Sequence, residues 1–147
     1  MSYATAAELR DRIGSSIFDE IYNVSDPSDL SDRSGIAEDL ESAGAEIDGA
    51  ITFRYTLPVT GARSLSLLKD WNLTLAEERA YARCAGGEFS EKVKRRVDQV
   101  RKYLDMIRAD QFRLPDAAEK EASSEGGGIA LAQRDTPIFG RDKMTGF

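Results

Sequence analysis

The sequence predicts a mainly α protein: a small bundle of four to five helices, followed by a flexible linker and an extended C-terminal tail that can form a strand. Three observations carry this. Apolar residues recur at steps of three and four through residues 1–113. Capping and helix-ending residues fall where those stripes begin and end. Beyond Leu114-Pro115 the stripes stop, and Ser-Ser-Glu-Gly-Gly-Gly leads into a short alternating segment. A chain of 147 residues is long enough for one core, since about 68–70% of the unfolded surface is buried at that size. The expected organisation is a helical body over 1–113, a linker over 114–128 and a tail over 129–147.

Thr5-Ala-Ala-Glu8 reads as a capping box, with Thr5 accepting from the backbone near Glu8 and Glu8 reaching back. The helix it opens runs to about Arg12, and Gly14 can end it. Ile17, Phe18, Ile21 and Tyr22 then predict a second short helix. Asn23 to Gly35 is rich in Ser, Asp, Pro and Gly and predicts a loop. Its Asp26, Asp29 and Asp32 are spaced by three, whereas a calcium loop needs ligands spaced by two and a Glu at position 12, so the loop is expected to be solvated.

From Ser34 to about Arg54 the apolar stripe is Ile36, Leu40, Ala43, Ile47 and Ile51. Pro58 forces Leu57 out of helical geometry and ends the segment. A third long helix is expected from about Ser64 to Cys84. Leu65, Leu68, Trp71, Leu75 and Ala82 lie near one face and Leu67 and Tyr81 widen it, while Asn72 and Thr74 interrupt the pattern and predict a kink or break. Ser90 then caps the most regular helix of the chain, with Phe89 stapled onto its first turn. Val93, Val97, Val100, Leu104 and Ile107 step by 4, 3, 4 and 3, a seam suited to docking on other helices.

The glycine-rich run 126–128 reads as a tether. It is followed by apolar residues that disordered tails usually lack: Ile129, Leu131, Ile138, Phe139, Met144 and Phe147. Alternation in Ile129–Gln133 suggests a strand that adds to another sheet edge. An apolar tail needs something to bury it. Docking on a neighbouring subunit or partner is therefore expected over folding back on its own body.

Composition excludes several functions. Histidine is absent and Cys84 is the one cysteine, so neither a four-ligand Cys/His zinc site nor a Ser-His-Asp or Cys-His arrangement can be built, and no internal disulfide forms. Cys84 reads as a small core-filler. There is no GxxxxGK[ST] loop for a nucleotide phosphate. No apolar run reaches the roughly 18–20 residues of a membrane helix, and the N-terminus shows no secretory signal. A non-enzymatic protein with no cofactor, no metal and no membrane contact is expected, of reduced intracellular origin.

Net charge is −6, unevenly spread. Residues 1–50 carry twelve acids and three bases, whereas 88–113 carry five acids and eight bases. Lys92, Lys94, Arg95, Arg96, Arg101, Lys102 and Arg108 make the Ser90 helix basic. The expected reading is a solvated face or a complement to the acidic Ser34–Arg54 helix. Binding of duplex DNA is the alternative, and the overall acidity opposes it.

Three blocks resemble a known family. The opening Met1-Ser-Tyr-Ala-Thr-Ala-Ala-Glu-Leu9, the central Ala45-Glu-Ile-Asp-Gly-Ala-Ile-Thr-Phe-Arg-Tyr-Thr-Leu-Pro58 and the ending Phe139-Gly-Arg-Asp-Lys-Met-Thr-Gly-Phe147 resemble, in order, blocks of the Mu-like prophage "gene product thirty-six" family. That family is similar in layout to the small helical head–tail connectors, or adaptors, of tailed phages. The resemblance implies a structural virion protein of the neck, made in the bacterial cytoplasm. It implies a ring of copies, commonly twelve, that joins the portal to the tail or a neck-completion protein and lets DNA pass as cargo. The tail residues Ile129, Leu131, Ile138, Phe139, Arg141, Asp142, Met144 and Phe147 would anchor it. Glu38, Asp39, Glu41, Glu46 and Asp48 would face the lumen, where like charge keeps DNA from sticking; neutralising them should then slow ejection. The alternatives are a DNA-binding or packaging-related helical module and a tail-completion or assembly protein.

Overall fold

The computed structural model describes residues 1–26, 28, 30, 34–84 and 89–121. Five helices follow one another: α1 (Ala6–Ile13), α2 (Ser15–Tyr22), α3 (Ser34–Ile51), α4 (Ala62–Ala82) and α5 (Glu91–Arg108). The mainly α class read from the sequence is what the structure has, and the described residues contain no strand beyond one isolated antiparallel bridge between Tyr55 and Glu119.

Local chemistry sets the helix ends. Glu8 N–H donates to Thr5 Oγ1 at 3.3 Å, and Thr5 N–H donates to the Glu8 carboxylate at 2.9 Å, which completes the expected capping box. Gly14, at φ 100°, breaks α1 from α2 with a backbone that L side chains avoid. Ser90 Oγ accepts from Val93 N–H at the start of α5. Phe89 packs against the core beside it.

The predicted stripes are the core. Ile36, Leu40, Ala43, Ile47 and Ile51 of α3 are buried, and so are Val93, Val97, Val100, Leu104 and Ile107 of α5. Between them runs α4, packed against α3, α5, α1 and α2. Over Trp71–Ala80 it is buried or half-buried on every side, which explains why its sequence lacks a single clean stripe. Trp71 stacks on Tyr103, with ring centroids 5.7 Å apart, and Phe112 closes the aromatic group.

That central position corrects several expectations. Helix α4 is continuous through Asn72 and Thr74. Both are buried, and their polar groups are satisfied without breaking the helix. Asn72 Nδ2 donates to the Leu40 carbonyl at 3.0 Å, and the Thr74 hydroxyl donates back to the Asp70 carbonyl at 2.9 Å. Leu65 and Ala82, expected in the core, are exposed; Leu65 lies on the open side of a turn whose Ser64 and Leu68 are fully buried. Ile17 is 45% exposed, while Phe18 and Tyr22 of the same short helix are buried. The single cysteine, Cys84, is half-buried just past α4.

The boundary of the body also moves. Residues 114–121, expected to begin the linker, are tied to the bundle. Leu114 is buried, and its N–H donates to the buried Tyr55 hydroxyl at 2.9 Å. The Asp116 carboxylate accepts from the N–H groups of Arg63 and Ser64 at 2.9 and 2.8 Å, capping α4 from a distant part of the chain. Thr56 N–H donates to the Ala118 carbonyl and Lys120 N–H to that of Arg54, at 3.0 and 2.7 Å, on either side of the bridge. Composition could not show this, since each bond uses backbone or a single acid and leaves no periodic trace. The rest of the linker, 122–128, and the whole tail lie outside the described residues.

Candidate partner-binding surface

The eight tail residues expected to anchor the protein, Ile129, Leu131, Ile138, Phe139, Arg141, Asp142, Met144 and Phe147, lie outside the described residues. So do Asp29 and Asp32 of the Asn23–Gly35 loop. Asp26, the described member of that trio, is exposed and accepts from Ser28 N–H in a local turn. Among the described residues, no group of three or more His, Cys, Asp or Glu side chains converges to hold a metal ion. No helix is long and apolar enough to cross a membrane.

The five acids of α3 are placed very differently from one another. Asp39 is 5% exposed, where the Tyr22 hydroxyl donates to it at 2.6 Å and Arg83 grips it with two bonds of 2.7 and 2.9 Å. Glu46 receives Arg79 at 2.7 Å and Arg101 at 3.1 Å. Asp48 accepts from the Tyr3 hydroxyl. Glu38 is exposed but pairs with Arg83 at 3.0 Å. Glu41 is exposed and makes no ion pair among the described residues. Glu38 and Glu41 are therefore the two that present negative charge outward.

These partners account for much of the charge asymmetry of the sequence. Arg101 of α5 spans Glu46 of α3 and Glu78 of α4, and Arg96 of α5 reaches Glu77 of α4. Burial opposes ionisation of Glu46, but the hydrogen bonds from Arg79 and Arg101 outweigh it and hold this carboxyl below its ordinary range. A folded-state value below the unfolded one means that the contribution of Glu46 is fully present above the ordinary carboxylate value. It is lost as pH falls through the lowered one. Glu46→Gln should therefore lower the urea midpoint at pH 7, and the gap from wild type should narrow as pH falls below the ordinary carboxylate range. A gap that stays unchanged throughout the acid titration would show that the charge of Glu46 contributes nothing.

One surface residue escaped the sequence reading. Phe53 follows α3 directly and is 80% exposed, the most exposed of the large apolar side chains described. The signal was present but negative: Phe53 falls off the Ile36–Ile51 stripe, so it has no place in the core that α3 serves. It borders a cavity of about 460 Å³ whose other walls include Arg54, Ile107, Arg108, Lys120 and Glu121. Arg54 is held there by Asp110. Glu121 is the last described residue before the tail. The exposed aromatic and the last described residues of the chain thus share one surface. A smaller apolar depression of about 240 Å³ lies between the N-terminal segment and the first half of α3, lined by Ala4, Ala6, Leu30, Ile36, Ala37 and Leu40. Gly44 permits the close approach of that N-terminal segment, because a Cβ there would collide with the Met1 carbonyl.

Comparison with curated proteins and with solved structures gives no match. The family model described as "Bacteriophage Mu, Gp36" matches residues 3–132, a span that takes in all five helices, the Phe53 surface and the beginning of the tail. The chain belongs to the bacteriophage Mu Gp36 family, and is accordingly a phage protein.

Proposed function

We propose that the protein is a structural component of the virion neck: a head–tail connector that joins the portal to the tail. Copies assemble side by side into a ring through which DNA passes. The observation that carries this reading is the arrangement around Phe53. A helical body presents an aromatic side chain at 80% exposure, and Glu121, the last described residue, lines the same cavity. Exposed aromatics beside a concave surface are where partner contacts concentrate. The tail then supplies further apolar anchors in Ile138, Phe139, Met144 and Phe147, with Arg141 and Asp142 to pair across an interface. Membership of a phage family supports assigning such a surface to a phage particle.

The role is one of binding, without catalysis or a cofactor. The acids of α3 are engaged in holding the bundle together rather than converging on a pocket. Glu41, exposed and without an ion pair among the described residues, remains available to line a lumen and repel passing DNA.

Electron microscopy of purified particles labelled with an antibody to this protein tests the reading. Label at the neck is expected. Label elsewhere on the tail would favour a tail-completion role. Absence from mature particles would overturn the connector reading and favour an assembly or packaging factor.

A further inference from the structure

We infer that the outer face of α5 is a docking surface for the α1–α2 flank of another copy of this chain, joined head to tail through opposite charge. This inference rests on the ring reading above and names the contact within it. Two observations lead to it.

Apart from Arg108, which pairs with Asp105 on its own helix, the bases of α5 fall into two groups. Arg96 and Arg101 lean inward and are paired with Glu77, Glu46 and Glu78. Lys92, Lys94, Arg95 and Lys102 are exposed and make no ion pair among the described residues. Glu91 and Asp98 stand one turn before Arg95 and Lys102 but do not bridge to them, so the face keeps more positive than negative charge.

The second observation is the matching flank. Helix α5 packs on α3 and α4, whereas α1 and α2 pack on each other and on α4 and α3. On that flank the bases are already used: Arg10 pairs with Asp19, and Arg12 with Asp70 and Glu77. Asp11, Glu20 and Asp26 remain exposed and without an ion pair among the described residues. Ile17, 45% exposed, sits one turn before Glu20 and adds an apolar contact to the acids. One body therefore carries exposed bases along α5 and exposed acids on and just after α1 and α2 that make no ion pair among the described residues. Two different complementary patches make a heterologous contact, the type that closes into rings. Duplex DNA would meet the same basic face but would be repelled by the acidic flank.

Two variants test the contact. One carries Lys92→Glu, Arg95→Glu and Lys102→Glu; the other carries Asp11→Lys, Glu20→Lys and Asp26→Lys. Sedimentation of the full chain at low salt should show that the wild type self-associates and that added salt weakens it. Each variant alone should associate on the order of tenfold more weakly or worse, because like charges then face each other. An equimolar mixture should recover association, since every contact between the two variants again joins opposite charges. Circular dichroism checks that each variant remains helical.

The proposal is overturned if the wild type stays monomeric at low salt, if either variant associates like wild type, or if the mixture does not recover. It is also overturned if the α5 variant loses only a shift with duplex DNA. Labelling of particles is independent of these results. Label at the neck with unchanged variants would retain the connector and discard this contact. Recovery in the mixture without label at the neck would do the reverse.

Discussion

Removal of Gly128–Phe147 is expected to leave a folded helical body that no longer enters particles. Among the described residues, the bonds that close the body precede the cut. Leu114 holds Tyr55, Asp116 caps α4, and the bridge at Tyr55 and Glu119 is flanked by two backbone hydrogen bonds. The urea midpoint of the truncated chain should therefore match that of the full chain. Incorporation into particles should be lost, because the apolar anchors are gone. A second truncation, after Arg113, separates the two roles. It removes buried Leu114, worth about 2 kcal/mol of burial, and strips the cap from α4. That chain should be measurably less stable. Normal incorporation of the first truncation would show that the tail is not the anchor. A large drop in its urea midpoint would show instead that the tail packs on its own body.

The contrast between the two truncations reflects what could be read from the residues alone. Periodic features were legible: the α3 and α5 stripes, the Thr5 and Ser90 caps and the break at Gly14 all follow from local rules that leave a pattern in the sequence. Helix α4 was legible as a helix but not in its surroundings. A helix covered on several sides tolerates Asn72, Thr74 and Glu77 inside, and the first two read as interruptions when one buried face is assumed. The closure by residues 114–121 was illegible because a distant cap and two backbone bonds need only one particular acid. Phe53 could have been found by asking which large apolar residue each stripe leaves out. The pairing of α3 acids with α4 and α5 bases was visible as a charge imbalance between segments. Which base meets which acid depends on helix rotation, and no composition reveals that.

Glu77→Ala should be among the most destabilising single substitutions in the body, and the local geometry sets its size. Glu77 is 3% exposed on α4 and stands between two helices. Arg96 of α5 donates to both of its oxygens, at 3.0 and 3.1 Å, and Arg12 Nε of α1 lies 3.4 Å away. Removing one member of a buried ionic group typically costs about 3–5 kcal/mol, because the remaining charge is stranded. Here the two arginines are stranded unequally. Arg12 keeps Asp70 at 2.6 Å and the Thr74 hydroxyl at 2.9 Å. Arg96 has no other hydrogen-bonded partner among the described residues, but its side chain is 37% exposed and can turn toward water. Both considerations place the cost near the lower bound, at about 3 kcal/mol. By comparison, the exposed pair of Arg108 and Asp105 falls in the class worth about 0–1 kcal/mol. Urea unfolding of Glu77→Ala beside Arg108→Ala measures the difference directly. The double variant Glu77→Leu/Arg96→Met should recover part of the loss, since it removes the stranded charge and fills the site with apolar volume. If Glu77→Ala costs no more than Arg108→Ala, the three helices are held by apolar packing alone, and the Arg12–Glu77–Arg96 group adds nothing to the stability of the body.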